Sequence, residues 1–434
     1  MFSDWNPFIP MTRLLYSLLF YCLTPLILLK LWMRGRQSPE YRHRWGERFG
    51  FIPRLSGERP IWIHAVSFGE TMAIIPLVDK LLAEHPQIPV FITSMTPTGS
   101  ARVQTHFGDR VGHAYCPYDL PCALSRFHRR VRPRSCVIVE TELWPNLIHS
   151  CAKRGIPVVV TNARLSARSA EGYQRFNWLT RLMLSEVSRI AVQNRDDGER
   201  FISLGFALDK LQVTGSIKFD IDTPAGANEE AAKLRHAWGS TRPVIIAAST
   251  HDNEETQLLE VYRNLKSRYH TLLLILVPRH PERFLTIYDQ SVKAGLRTCR
   301  RSVSPAPAPD CEVYLGDTMG ELMTLYSAAD IAFVGGSLIE RGGHNPLEPA
   351  VLGKPVLMGP HVYNFHQIVA TMEQELALQV VSDAEELQRA LAELLDHPEQ
   401  ARAMGIRGRT CIESNRGALD QQLTLVKQMA GIQS

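Results

Sequence analysis

The stretch Ile61–Glu70, IWIHAVSFGE, runs from an apolar strand-like segment through a small-residue turn to the lone carboxylate of Glu70. A glutamate presented just beyond a strand end is a candidate general base, provided partial burial lifts its pKa toward neutrality. Read more plainly, the same residue is a first-turn glutamate complementing a helix dipole. Glu140 and Glu142 close another apolar run, and one of them can simply pair with Arg164 or Lys218. Arg279 follows the run Leu272–Val277 and suits a fixed cation facing phosphate or carboxylate. A surface arginine is the plainer alternative, and Lys218 is open to the same two readings.

Residues 331–359, IAFVGGSLIERGGHNPLEPAVLGKPVLMG, add a glycine-rich segment. Gly335, Gly336, Gly342 and Gly343 would let backbone approach a ligand closely. Asn345-Pro346-Leu347-Glu348 reads as a helix start, with Asn as N-cap, Pro at the first helical position and Glu at the third. Glu348 then either closes a capping box or, on the first turn, accepts from ribose hydroxyls. Glycine approach followed by a helix N-terminus holds phosphate or sugar nucleotide without a P-loop. Neither IWIHAVSFGE nor VIIAASTHDNEE contains GxGxxG, and no GxxxxGK[ST] occurs. The nearest metal candidate, His251 to Glu255, reads better as a helix start with Thr250 near the cap. No DxD or His/Asp cluster argues for a metal, so none is expected.

The elements that must position these side chains repeat twice. Apolar runs at Ile61–Val66, Val90–Ser94, Cys136–Glu140, Pro157–Thr161, Arg189–Gln193 and Leu211–Thr214 alternate with helix-like segments. After the small, polar break TPAGANEE (Thr223 to Glu230), runs restart at Val244–Ala248, Leu272–Val277, Val313–Leu315, Ile331–Val334, Pro355–Met358 and Gln379–Val381. This is the pattern of parallel βαβ units. At 434 residues, two open α/β domains are expected, covering 34–225 and 226–434, with ligands at the carboxyl ends of the strands and in the cleft between them. A net charge of +4 is too small to argue for nucleic acid. Eight cysteines with no CxxC pair fit a reducing compartment best and argue against zinc ribbons and disulfide frameworks. Residues 1–33 hold an uncharged run, Leu14 to Leu29, bracketed by Arg13 and Lys30. It is slightly short of the ~20 residues of a spanning helix, and whether it spans or lies in one leaflet stays open. Arg34, Arg36, Arg42, Arg44 and Arg48 follow, which places the bulk of the chain on the cytoplasmic side of a membrane.

Together HAVSFGE, VIVETELWPN, TGSIKFD, VPRHPERF and GGHNPLEPA make the chain resemble the bacterial 3-deoxy-D-manno-octulosonic acid (Kdo) transferases of lipopolysaccharide biosynthesis. The resemblance runs from the anchor to the last strands and departs at Phe68, where the family usually has Val. It implies a GT-B fold of two Rossmann-like domains facing a cleft, behind an N-terminal membrane-anchor helix. It implies an inverting transfer from CMP-Kdo to the lipid A precursor lipid IV(A), on the cytoplasmic face of the bacterial inner membrane. It further implies Glu70 as proton acceptor, Glu140 and Lys218 as transition-state stabilisers, and CMP contacts at Pro278, Arg279, Met319, Gly320, Glu321, Asn345, Pro346, Leu347 and Glu348. A membrane-associated GT-B transferase using a UDP-sugar, or a tethered nucleotide-binding module without turnover, remain the alternatives.

Overall fold

Runs that are apolar at every position form strands where a sheet is covered on both faces. The register of the first sheet shows this directly. Ile61, Trp62 and Ile63 pair with Ser135, Cys136 and Val137 of the neighbouring strand. Trp62, Cys136, Ile138 and Val160 enter one core, while Ile61, Ile63, Val137 and Val159 enter the core on the opposite face. The computed structural model describes residues 8–36, 38–304 and 309–432.

The chain divides into two compact units, one of residues 1–220 with 416–434 and one of residues 221–415. In the first, β1 (Ile61–His64), β2 (Val90–Ser94), β3 (Gly112–Tyr115), β4 (Ser135–Val139), β5 (Val158–Ala163), β6 (Arg189–Val192) and β7 (Leu211–Val213) form one sheet in the order β3-β2-β1-β4-β5-β6-β7. In the second, β8 (Val244–Thr250), β9 (Leu273–Pro278), β10 (Thr298–Arg300), β11 (Val313–Leu315), β12 (Ile331–Val334), β13 (Val356–Met358) and β14 (Leu378–Val380) are ordered β10-β11-β9-β8-β12-β13-β14. Every paired strand is parallel. Strand order reverses between β1 and β4 in one unit and between β8 and β12 in the other, and such reversals open crevices at the strands' carboxyl ends.

Two boundaries differ from the sequence reading. The second unit ends at Asn415 rather than at 434. The helix Ala418–Met429 returns to the first sheet because Leu423 and Val426 complete the core over β1. Its start is capped by Asp220, which accepts from Gly417 N and Leu419 N at 2.7 Å each. The N-terminal helix spans Phe8–Arg34, passing through Pro25, so the anchor expected over 1–33 begins outside the described residues. It is long and apolar enough to cross a membrane.

Candidate active site

In the first unit the switch point between β1 and β4 carries the carboxylates. Ser67 N-caps the helix Phe68–Glu84, accepting from Glu70 N at 3.2 Å, while Glu70 Oε1 accepts from Ser67 N at 3.3 Å. That reciprocal pair is a capping box. Ser67 Oγ also donates to Oε1 (2.7 Å), and Val66 N donates to Oε2 (2.7 Å). The plainer reading of Glu70 as a first-turn glutamate is therefore part of its role. It is not all of it. Burial drives the Glu70 carboxyl up to about 7 against the pull of these hydrogen bonds, and the nearby Glu142 and Glu140 push the same way. A carboxylate offers about four lone-pair directions, and only one bond reaches Oε2, so an acceptor site remains there.

Glu140 follows β4 with φ of 58°, a left-handed conformation that costs a non-glycine residue strain and clusters at functional sites. It pairs with Arg164 Nε at 3.1 Å and Lys218 Nζ at 3.8 Å. Of the two acids it is thus Glu140 that meets both cations. Glu142 instead accepts from Trp144 Nε1 at 3.1 Å, and burial raises its pKa. Lys218 sits on the short turn Ile217–Phe219, whose Ile217 packs with Ala73 of the Glu70 helix and Ala418 of the last helix. Burial lowers the Lys218 pKa, with Glu140 and Glu70 opposing. The turn is pinned by Asn162, whose Oδ1 accepts from Ile217 N (3.3 Å) and whose own N–H donates to Gln422 (2.9 Å). The β1/β4 reversal brings Glu70 and Glu140 together, and Lys218, 148 residues from Glu70, joins them from the turn after β7.

In the second unit the loops after β11, β9, β8 and β12, four adjacent strands, share one edge of the sheet. Pro278 ends β9, and Arg279 N donates to Thr250 O (2.9 Å). Arg279 lies within electrostatic reach of Glu348, whose pKa burial raises. The helix start differs from expectation. Pro346 is the cap position of a five-residue helix, Leu347–Val351, and Asn345 Oδ1 accepts from Leu347 N (3.2 Å). Glu348 bonds the Asn345 side-chain amide (3.4 Å), so no capping box forms. Met319 is exposed and Gly320 takes φ of 86°, but Glu321 is held by Arg301 at 2.7 and 3.2 Å, which keeps its pKa below the ordinary value.

Two features escaped the sequence reading. The fully buried Glu254 accepts from the backbone N–H groups of Gly336 (2.7 Å), Ser337 (3.1 Å), Leu338 (3.1 Å) and His251 (3.2 Å), joining β8 to β12 across their reversal. A Cβ on Gly335 would stand 2.8 Å from Ser249 O and 2.9 Å from Glu254 Oε2, so the close approach made there is to protein. Second, His251 and His344 stack 5.1 Å apart with Nε2 atoms at 2.8 Å, and burial lowers their pKa values to about 4 and about 3. Both are neutral at pH 7, one donating to the other. Among the described residues no three His, Cys, Asp or Glu side chains are grouped to hold a metal ion.

Comparison with known proteins narrows what such sites do. Residues 43–221 match the family "3-Deoxy-D-manno-octulosonic-acid transferase (kdotransferase)", and residues 241–410 match "Glycosyl transferases group 1". A 3-deoxy-D-manno-octulosonic acid transferase of Haemophilus influenzae is 44% identical over 420 residues, covering 96% of this chain and 98% of that protein. One from Bordetella pertussis is 36% identical, covering 97% and 100%. The crystal structure of a Neisseria meningitidis UDP-GlcNAc 2-epimerase, 15% identical, superposes with a TM-score of 0.56 over 84% of this chain and 99% of its own, a likeness of fold alone. The fold is GT-B, and the chain is a glycosyltransferase belonging to the 3-deoxy-D-manno-octulosonic acid transferase family.

Proposed function

We propose that the enzyme moves Kdo from CMP-Kdo to the lipid A precursor lipid IV(A) in lipopolysaccharide biosynthesis, with inversion, and with Glu70 as general base. The observation that carries this reading is the buried Glu70, lifted to about 7 beside Glu140 and Lys218. The acceptor's O–H bond breaks with its proton passing to Glu70 Oε2. The freed oxygen bonds to the anomeric carbon of Kdo as the bond to the phosphate oxygen breaks, and that electron pair leaves with CMP. A base with pKa near the working pH suits this transfer. The Lys218 ammonium, set against Glu140, offsets developing negative charge.

Donor binding falls to Pro278, Arg279, Met319, Gly320, Glu321, Asn345, Pro346, Leu347 and Glu348 in the second unit. Arg279 faces an anion, and the buried Glu348 accepts from hydroxyls. A monophosphate leaving group presents less charge than a diphosphate, so these cations suffice without a metal. The acceptor lipid and the basic run from Arg34 to Arg48 support a position on the cytoplasmic face of the inner membrane. No nucleic acid is involved.

The test is to incubate purified protein with CMP-Kdo and tetraacyl bisphosphorylated disaccharide lipid, with chelator present, and read the products by mass spectrometry. A lipid heavier by one or more Kdo residues is expected. Protection against thermal unfolding by UDP but not CMP would instead mark a UDP-sugar enzyme. CMP binding with no lipid product would mark a binding module.

A further inference from the structure

The N-terminal helix Phe8–Arg34 is turned inside out relative to a helix of a soluble unit. Its outward face bears Leu14, Leu15, Leu18, Leu19, Leu26 and Leu29, each more than half exposed. Its inward face carries polar groups bonded to the first unit. Tyr16 OH donates to Asp119 Oδ2 (2.9 Å), and buried Ser17 Oγ donates to Asn146 Oδ1 (3.1 Å). Farther along, Phe20, Ile27 and Leu28 pack against Tyr118, Leu120 and Ala123. Trp32 lies between Arg36 and Arg42, at 5.0 and 5.1 Å from its ring, and its carbonyl accepts from Arg42 Nε (3.4 Å).

Docking on the unit therefore extends from Tyr16 to Leu28, about 18 Å of helix at ~1.5 Å per residue. A helix crossing a hydrocarbon core of about 30 Å would carry Asp119, Asn146 and the loops around them into lipid. We infer that this helix lies along one leaflet of an anionic bilayer, held on its own catalytic unit, with the leucine face immersed. Charge agrees with that partner: Lys30 stands on the outward face, where its stem can snorkel, and Arg34, Arg36 and Arg42 gather at one end.

The docked helix also reaches toward the chemistry. Asp119 accepts from Asn146 N (3.0 Å) and Leu147 N (2.6 Å), so the acid that holds Tyr16 also fixes the start of the helix Pro145–Ala152, directly after the loop of Glu140, Glu142 and Trp144. Tyr173, within electrostatic reach of both Tyr16 and Glu142, donates to Thr141 O (3.5 Å). A lipid in the leaflet that takes the leucine face lies against the unit that carries Glu70, Glu140 and Glu142. This last step rests on the proposed membrane-lipid acceptor.

The experiment is depth measurement by spin label on full-length protein, Cys22→Ser and Cys122→Ser, in vesicles of phosphatidylethanolamine and phosphatidylglycerol. Labels are placed singly at Leu14→Cys, Leu18→Cys, Leu26→Cys and Met33→Cys, with melting temperature confirming the fold. All four are expected at similar shallow depth, about 5–10 Å into one leaflet. Depths that descend steadily to the midplane and rise beyond it would overturn the inference, as would labels shielded from both lipid and water by a second copy of the chain. Leu18→Glu with Leu26→Glu is expected to cut transfer to vesicle-embedded acceptor at least tenfold, leaving transfer to detergent-dispersed acceptor unchanged. Equal loss in both would contradict it. If the parent transfers nothing in detergent, the acceptor assignment fails while the depth result still stands or falls alone.

Discussion

Glu70 and Glu254 occupy equivalent places in the two units, each in the first turn of the helix after the strand beside the topological switch point, and each is buried. Their partners separate them. Glu254 spends its oxygens on four backbone donors, three of them from the loop after β12, and so ties the two sides of its reversal together. Glu70 bonds only within its own turn, to Val66 and Ser67, and across its reversal it meets like charge at Glu140 and Glu142. The same position in one fold thus serves as a structural clamp when met by N–H groups. Burial raises both carboxyls, but at Glu70 fewer N–H groups oppose it and Glu142 and Glu140 add to it, lifting the group to about 7.

The largest effect should come from Glu70→Gln, which keeps the shape and removes the base. Turnover falls by about 10²–10⁴-fold, while CMP affinity, a property of the second unit, stays put. Steady-state kinetics with CMP binding on one preparation checks this. Glu254→Ala should do the converse and strip several buried N–H groups of their acceptor. Each orphan costs about 1–3 kcal/mol, so a loss of roughly 3 kcal/mol or more in unfolding free energy is expected by denaturant titration. A loss under about 1 kcal/mol would show that water or rearrangement takes the carboxylate's place.

The pH dependence sharpens the contrast. The Glu70 pKa is raised on folding, so the stabilisation it gives is complete below its unfolded value and is lost as pH climbs through about 7. Melting curves of wild type should therefore fall relative to Glu70→Gln across that range. Glu142→Gln removes a neighbouring charge and should move the Glu70 titration to lower pH, read from the rate profile. Smallest of all, Ser67→Ala removes one half of the capping box and should cost about 1 kcal/mol of stability.

Much of this was legible because central strands are apolar on both faces. Val90–Ser94, Val313–Leu315 and Ile331–Val334 are found where their residues predict them. The two strands that were missed, Gly112–Tyr115 and Thr298–Arg300, lie at sheet edges, where a histidine or an arginine is tolerated because one side is open. Glu70, Glu140 and Lys218 stood out by motif, and the fold brings them together. Glu254 was weighed only within the stretch His251 to Glu255 and its clamping role did not show, since three of its four partners lie 82 to 84 residues away and are backbone groups that no side-chain pattern announces. The final helix escaped for a similar reason: its apolar stripe fits any open sheet face, and only Asp220 and the core over β1 say which one.

The central claim is that Glu70 takes the acceptor's proton. It is tested most directly by the pH profile of single-turnover Kdo transfer in wild type and Glu70→Gln, with CMP-Kdo saturating. The wild-type rate should rise through about pH 7 as the carboxylate ionises and then level off, and the variant should be slow with no such limb. A limb near pH 7 that survives unchanged in Glu70→Gln at comparable rate would contradict the account, leaving Glu70 as a cap alone.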